Sequence, residues 1–332
     1  MNKILFFYYL LFYNKFNSIS SLLWTLFTPY FNFIKKYSSF IGTCFVKLII
    51  LIFISVFLVS YICLFPDKLA ESFYLAIFHF LLGNYIFTNV LFHYYKAAFK
   101  SPGYISHKFK VERISSFCRK CKLDRPERCH HCSFCDRCVL MMDHHCPWLN
   151  NCIGFYNRRH FFLFMVFMFI GCFYVSFVGY FELEKHIEKR YHYISQWLNN
   201  YSLTFHYIVR WEARLSSLLG LIMMLLSLWH ARLISRGETS IEMHKNKKFI
   251  RCWKRKGLVY RNPYNLDFYN NWSQFLFGCY YESSCRITMR TFCKLFVTTV
   301  LFPSDHPPHG DGQIFEYHRF LNVENVINDL NV

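Results

Sequence analysis

Four long apolar segments constrain this chain more than any other feature of its sequence. They span residues 40–65, 71–95, 161–181 and 214–234, and each has about the 20 residues that a helix needs to cross a membrane. Four buried helices of a soluble protein would be the alternative. The chain is 54% hydrophobic and only 17% charged, however, which leaves too little polar sequence to cover such helices. The segments therefore predict an all-α polytopic membrane protein with four transmembrane helices.

The distribution of basic residues orients these spans. Residues 96–160, between the second and third spans, contain 13 Lys and Arg, and the tail 235–332 is also rich in both. Lys and Arg concentrate on the cytosolic side of membrane proteins. We therefore expect residues 96–160, the tail and both termini in the cytosol, and residues 182–213 as a lumenal loop.

The net charge of +18 also raises nucleic-acid binding as a function. Basic loops that face an anionic leaflet account for the charge more simply, so we expect the lipid bilayer as a partner and no nucleic acid.

The first 39 residues include an apolar stretch, Ile4 to Tyr13, that is too short to span a membrane. A signal peptide and a fifth span are alternatives, but no small-residue cleavage site follows the stretch. We predict that residues 1–39 form a cytosolic interfacial segment.

The segment between the second and third spans holds eight of the 15 cysteines and two His-His pairs. Disulfides are rare in the cytosol, so this density indicates metal binding. A Cys-x2-Cys pair lets two thiolates of one turn reach a tetrahedral zinc ion. Two closed tetrahedral sites would use eight ligands, and the segment offers twelve: Cys118, Cys121, Cys129, His130, His131, Cys132, Cys135, Cys138, His144, His145, Cys146 and Cys152.

Four potential ligands therefore remain outside two such sites. If each His-His pair supplies one ligand, two His and two Cys are left over, and the spacing does not show which His binds metal. A free Cys beside a free His is the arrangement of an activated thiol nucleophile. Cys146 fits best, because Asp143 and the two histidines directly before it can supply an orienting carboxylate and a base. Cys129 has no carboxylate placed in that way and is expected to be a free or structural thiol.

The second and third spans flank this segment, so we expect the Cys146 thiol to lie close to one face of the membrane. A soluble acyl-CoA could place its headgroup among the basic residues of the segment and its chain among the helices. The same basic residues are also what a solvated cytosolic surface carries.

The cysteine-rich segment closely resembles that of the DHHC protein S-acyltransferases, or palmitoyltransferases. The resemblance runs without a gap over residues 118–161 and includes Arg-Pro-x-Arg at 125–128, Asp-His-His-Cys-Pro-Trp at 143–148 and Asn-Asn-Cys-Ile-Gly at 150–154. The four-span layout, with this domain between the second and third spans, is also similar.

Weaker similarities lie outside the cysteine-rich segment. Residues 101–103, Ser-Pro-Gly, resemble the family's D-P-G motif with Ser in place of Asp. Residues 239–242, Thr-Ser-Ile-Glu, resemble its T-T-x-E motif, and Asn-Asn-Trp at 270–272 resembles part of its aromatic C-terminal motif.

The resemblance implies two structural zinc ions with complete ligand sets and therefore no Lewis-acid role. One would be held by Cys118, Cys121, His131 and Cys138, and the other by Cys132, Cys135, His145 and Cys152. It further implies that Cys146 is the nucleophile, that His144 is its general base and that Asp143 orients His144.

The implied reaction is a two-step acyl transfer. Cys146 takes the acyl group of a long-chain acyl-CoA, palmitoyl-CoA above all, and passes it to a cytosolic cysteine of a membrane-associated protein. The resemblance places Arg125, Arg128 and His130 near the CoA phosphates and Trp148 near the thioester. It places Ser240 against Asp143, with Glu242 and Asn271 as supporting residues. The acyl chain would lie among the four spans, where the small Gly171 leaves room for long chains.

Two other functions remain as alternatives. A non-enzymatic membrane adaptor would bind zinc without needing a free thiol, and a RING-type ubiquitin ligase would have longer loops between its zinc ligands. The absence of an extended interaction domain favours the Golgi or endoplasmic reticulum membrane as location, with the plasma membrane as an alternative.

Overall fold

Four helices of the protein are long and apolar enough to cross a membrane. The computed structural model describes residues 40–61, 65, 68–69, 71–107, 109–189, 196–278, 293–308 and 310–315, so the predicted interfacial segment 1–39 lies outside the described residues. The helices are α1 (Phe40–Tyr61), α2 (Phe73–Phe99), α3 (Arg158–Lys189) and α4 (Gln196–Ser235). A multi-pass membrane protein is therefore confirmed, together with the predicted fold class.

The outer surface of α4 shows why these helices need a membrane. The candidate span within α4, Tyr207–Ser235, carries a row of exposed large apolar side chains, which are Leu215, Leu218, Leu221, Ile222, Leu225 and Leu228. Exposure of such a row to water would cost free energy. Contact with lipid tails would not, because they are as apolar as leucine.

Residues 182–213, predicted as a loop, are helical wherever the structure describes them. Helix α3 continues to Lys189, and α4 already begins at Gln196. An apolar run predicts only the part of a helix that lies in the hydrocarbon of the membrane. The helix itself can continue into water, because its backbone hydrogen bonds form there too. The stretch contains no Pro and no Gly to end a helix.

The cysteine-rich domain consists of three β-hairpins between α2 and α3. Strands β1 (Ser116–Cys118) and β2 (Leu123–Arg125) form the first hairpin, β3 (His130–Cys132) and β4 (Arg137–Val139) the second, and β5 (His144–Cys146) and β6 (Asn151–Ile153) the third. All three pairs are antiparallel. Isolated three-residue hairpins are not stable in water, so other interactions must hold this domain together.

The third hairpin is docked against the C-terminal end of α2. The amide of Asn151 donates to the carbonyls of Ala97 (3.2 Å) and Lys100 (2.9 Å), and that of Asn157 donates to Ala97 (3.1 Å). These bonds satisfy carbonyls that the end of a helix leaves without a partner. At Gly154 a Cβ atom would lie 2.6 Å from the carbonyl oxygen of Pro102, so only glycine permits this close packing.

Two further helices complete the described fold. Helix α5 (Ser240–Arg255) starts against the third hairpin, and α6 (Phe268–Phe277) packs on α3 through the edge-on contact of Trp272 with Phe162 (centroids 5.5 Å apart). A short π-helical turn, Phe296–Leu301, follows.

Candidate active site and metal centres

The first cluster of metal-binding side chains joins the first two hairpins. Cys118 and Cys121 come from the tip of the first hairpin, while His131 and Cys138 are directly opposite each other in the second. All four ligand atoms lie within 4.8 Å of one another. His131 Nδ1 is 3.2 Å from Cys121 Sγ and 4.0 Å from Cys138 Sγ.

The second cluster repeats this design between the second and third hairpins. Cys132 and Cys135 occupy the tip of the second hairpin, and His145 faces Cys152 across the third. His145 Nδ1 is 3.8, 3.4 and 3.6 Å from the sulfurs of Cys132, Cys135 and Cys152, and the last two sulfurs are 3.5 Å apart.

Both clusters suit zinc. A tetrahedral Zn²⁺ with sulfur and nitrogen ligands at about 2.3 and 2.1 Å places those ligands about 3.5–3.8 Å from one another. The measured separations cluster around these values. Each cluster offers four protein ligands, so an ion held there would have a closed shell and would serve the fold.

The third hairpin carries a different constellation. His144 Nδ1 donates to the Asp143 carboxylate over 2.6 Å, and the same imidazole is hydrogen-bonded to Cys146. Burial alone would lower the pKa of His144, but the bonds to Asp143 and Cys146 outweigh it and raise that pKa to about 9. The Cys146 side chain is only 5% exposed. Carboxylate, imidazole and thiol thus form a chain of the kind that activates a nucleophile.

Helix α5 holds the carboxylate of this chain in place. The backbone N–H of Ser240, the first residue of the helix, donates to Asp143 Oδ1 (2.5 Å), and its hydroxyl donates to Oδ2 (3.0 Å). Burial would raise the pKa of Asp143, yet the His144 and Ser240 hydrogen bonds lower it to about 2. Asp143 is therefore ionised at neutral pH. Its position at the N-terminus of α5 also stabilises the negative charge.

Arg128 forms a buried ion pair that the sequence did not indicate. Its guanidinium binds both carboxylate oxygens of Glu242 at 2.6 Å and stacks 4.3 Å from the Tyr264 ring. The Arg128 side chain is 5% exposed, so this ion pair is buried. The predicted contact of Arg128 with a CoA phosphate stays a prediction. Glu242 also closes a capping box with Thr239 at the start of α5.

The remaining predicted residues have distinct surroundings. His130 is half-buried, and burial followed by the charges of Lys245 and Arg125 lowers its pKa to about 4. His130 is therefore uncharged at neutral pH, and the charges near it include the Glu242 carboxylate as well as Lys245 and Arg125. Trp148 is 63% exposed at the tip of the third hairpin. Asn271 donates to the Ser235 carbonyl at the end of α4 (3.0 Å), which is a helix-capping contact.

His230, on α4, is a residue of this site that the sequence analysis missed. Its ring centroid lies 5.9 Å from that of His144, and both rings pack edge-on against Phe161. One ring nitrogen of each histidine and one carboxylate oxygen of Asp143 lie within 4.8 Å of one another. An ionisable residue inside a predicted span was the signal that would have identified it.

The Glu242–Arg128 pair gives a stability prediction. Replacing Glu242 by alanine removes the partner of a buried guanidinium, which should destabilise the protein by about 3–5 kcal/mol. Thermal unfolding of the detergent-solubilised protein measures this. Lys96 pairs with the partly exposed Asp305 at 2.6 Å, and Lys100 binds the same carboxylate, so Lys96→Ala should cost no more than about 1 kcal/mol. Equal effects of the two substitutions would contradict the assignment of Arg128 to a buried ion pair.

The fold and this site define a polytopic membrane protein whose cysteine-rich domain presents a thiol–imidazole–carboxylate chain beside two metal-binding clusters. The sequence profile of the DHHC palmitoyltransferase family matches residues 111–247. The protein is 33% identical to palmitoyltransferase ZDHHC16A of Danio rerio over 348 aligned residues, which cover 93% of this chain and 87% of the relative. It is 37% identical to palmitoyltransferase ZDHHC16 of Mus musculus (92% and 82% covered) and 36% identical to that of Homo sapiens (92% and 83%). The chain therefore belongs to the DHHC palmitoyltransferase family, and the predicted enzyme class, protein S-palmitoyltransferase, is confirmed.

Proposed function

We propose that the protein transfers palmitate from palmitoyl-CoA to Cys146 and from there to cytosolic cysteine thiols of membrane-associated proteins. The observation that carries this proposal is the position of a nearly buried thiol, bonded to a carboxylate-held imidazole, at the end of an apolar helix bundle. Cys146 belongs to the same buried cluster as Tyr94 on α2 and Phe164 on α3.

A cavity inside the bundle supports an acyl-chain substrate. It has a volume of about 200 Å³ and is lined by residues of all four membrane helices. Along α2 its lining extends from His79 to Val90, about 16 Å by helical rise. Val90 is one helical turn from Tyr94, so the cavity approaches the cluster that contains Cys146. An acyl chain in this space would extend from the thiol into the membrane.

The chain's own residues supply the proton transfers. His144, whose raised pKa keeps the imidazole protonated at neutral pH, already holds the proton of Cys146 before the substrate binds. The thiolate attacks the thioester carbonyl, and the departing CoA thiolate takes the proton from His144. In the second step His144 takes a proton from the acceptor thiol, whose sulfur attacks the acyl carbonyl carbon on Cys146. Cys146 leaves as the thiolate beside protonated His144, which restores the starting state. Exchange of one thioester for another changes bond energies little, so positioning and thiolate supply control the rate. Two Zn²⁺ ions in the cysteine/histidine clusters would fix the hairpins around this centre.

The headgroup of CoA would lie outside the bundle. Arg125 and Lys245 supply positive charge near the neutral imidazole of His130, which supports phosphate binding on this side. The basic residues of 96–160 support a cytosolic cysteine-rich domain with both termini cytosolic. The Golgi or endoplasmic reticulum membrane stays the predicted location.

The two-step mechanism predicts release of CoA before any acceptor is present. Purified protein mixed with palmitoyl-CoA alone should release up to one CoA per chain in a burst, and a cysteine-containing peptide added later should receive the acyl group. Rapid-quench measurement of free CoA tests this. Release of CoA only after the peptide is added would contradict an acyl-enzyme intermediate, and release without acylated protein would indicate hydrolysis.

Chain-length preference tests the cavity. A Cβ atom at Gly171 would meet Ile86 Cγ2 at 3.0 Å, and both residues line the cavity. Gly171→Phe should therefore lower the use of C16 relative to C12 acyl-CoA by about tenfold or more. Each methylene group of the longer chain that no longer fits in the cavity loses its contacts there and weakens binding. Competition between the two acyl-CoAs measures the ratio. Ile170→Phe is the matched control, because Ile170 is exposed on the bundle surface. An unchanged ratio in Gly171→Phe would place the acyl chain elsewhere.

A further inference from the structure

The three hairpins repeat with a spacing of 14 residues. Corresponding positions hold the first tip cysteine (Cys118, Cys132 and Cys146) and a residue with left-handed backbone conformation (Lys122, Asp136 and Asn150; φ 53°, 53° and 48°). The cross-strand pairs His131–Cys138 and His145–Cys152 also correspond. The hairpin that carries the proposed nucleophile is thus built on the same plan as the two metal-binding ones.

At two positions a cysteine of the second hairpin is replaced by another residue in the third. The residue before the His-His pair is Cys129 in the second and Asp143 in the third, and the second tip residue is Cys135 in the second and Leu149 in the third. Asp143 supplies the carboxylate of the proposed active site, which accounts for the first difference. The mechanism leaves the second one, Leu149, without a function.

Each metal cluster takes two thiolates from the tip of one hairpin and a His–Cys pair from the next. The third hairpin has a single thiol at its tip, and the chain runs directly from β6 into α3. Leu149 is only 2% exposed and lies in the same buried cluster as Cys146, Ile153 and Phe164. An apolar side chain therefore occupies the position where the other two hairpins hold a metal-binding thiolate.

The backbone hydrogen bond at the hairpin tip also differs between the third hairpin and the two metal-binding hairpins. In the metal-binding hairpins the N–H of the second tip cysteine donates to the first sulfur, over 3.4 Å in both Cys121–Cys118 and Cys135–Cys132. The N–H of Leu149 donates instead to the carbonyl oxygen of Cys146 over 3.2 Å.

We propose that Leu149 is a specificity-determining residue, which keeps the Cys146 thiol free of metal and so converts a structural zinc hairpin into a catalytic one. A thiolate at this position would restore the Cys-x2-Cys tip. The imidazole of His144, already hydrogen-bonded to Cys146, would be a third ligand. Three protein ligands with one open position suffice to hold zinc, and a zinc-bound sulfur is no longer the free nucleophile.

The test is the metal content of Leu149→Cys beside Leu149→Ala, both purified with a phosphine reductant so that no disulfide forms. We expect two zinc ions per chain in the wild type and in Leu149→Ala, and three in Leu149→Cys. With cobalt in place of zinc, the two cysteine-containing clusters give sulfur-to-cobalt charge-transfer absorption in every variant. The intensity of this absorption per chain should increase only in Leu149→Cys. Acyl labelling of Cys146 should persist in Leu149→Ala, reduced by the lost packing, and should disappear in Leu149→Cys until a chelator removes the third ion.

This role of Leu149 rests on the proposed function, but different results would refute the one and the other. A wild type without two bound metals or without label on Cys146 would refute the proposed function. Leu149→Cys with two metals and the labelling of Leu149→Ala would refute the role of Leu149 alone. If Leu149→Cys does not fold, Leu149→His and its matched control Leu149→Asn make the same comparison, because histidine also binds zinc and asparagine does so poorly. Equal metal content in that pair would again overturn the proposal.

Discussion

Replacing Cys146 by serine should lower acyl transfer by at least about a thousandfold. The serine hydroxyl keeps nearly the same shape and polarity, but His144 cannot ionise it as it ionises a thiol, and no thioester can form on it. Neutral hydroxylamine cleaves thioesters selectively. Incubation with alkyne-tagged palmitoyl-CoA, followed by measurement of hydroxylamine-sensitive label, therefore detects the loss directly.

Other thiols set the background of this measurement. Cys44, Cys252 and Cys293 are exposed and can react with acyl-CoA without catalysis. Cys252→Ser, on α5, is the matched control and should keep the fast label. Equal labelling of the wild type and Cys146→Ser would show that the label lies on such surface thiols. A wild type that binds both metals yet takes no label would contradict the proposed acyl-enzyme intermediate.

Asp143→Asn separates the role of the carboxylate from that of the thiol. The Asp143 hydrogen bond and charge help to raise the pKa of His144 to about 9, so the wild-type imidazole is protonated at pH 7 and stabilises a thiolate. Asparagine removes that charge and the pKa of His144 falls. Acylation at pH 7 should then drop by about 10²–10⁴-fold and rise again with pH between 7 and 9, whereas the wild-type rate should change little. Parallel pH profiles would contradict this role of Asp143.

Local sequence patterns were enough to predict much of this molecule. Apolar runs of about 20 residues gave the four helices, because a bilayer requires that length. The residues expected as zinc ligands lie in two compact groups, because short gaps between cysteines leave little freedom in how a hairpin tip can present them.

Contacts between distant parts of the chain could not be read in the same way. Arg128 belongs to a basic segment, and only the fold shows that Glu242, 114 residues later, neutralises it. His230 reaches the active site because α4 packs beside α3, which no local pattern encodes. The 14-residue repeat was visible in the sequence, but its meaning depends on the hairpin register that places Leu149 in line with Cys121 and Cys135.

Removal of the metals should unfold the cysteine-rich domain and abolish acylation of Cys146. Each ion would join two successive hairpins whose strands have only three residues, and structural zinc contributes about 10–16 kcal/mol to such folds. Five of the twelve buried residues in the two apolar clusters of the domain are themselves cysteines. A strong chelator should therefore release two zinc ions per chain together with loss of hydrogen-exchange protection over residues 116–153, while α2 and α3 stay protected.

Single substitutions distinguish the two clusters. Cys135→Ser should abolish acylation, because its cluster includes His145 and Cys152, which lie on the same hairpin as Cys146. Cys121→Ser acts on the cluster one hairpin further away and should leave more activity, since the second cluster can still hold the third hairpin. Cys129→Ala is the control: Cys129 is buried but belongs to neither cluster, so both metals should remain. Full acylation after both metals have been removed would show that hairpin packing alone maintains the active site.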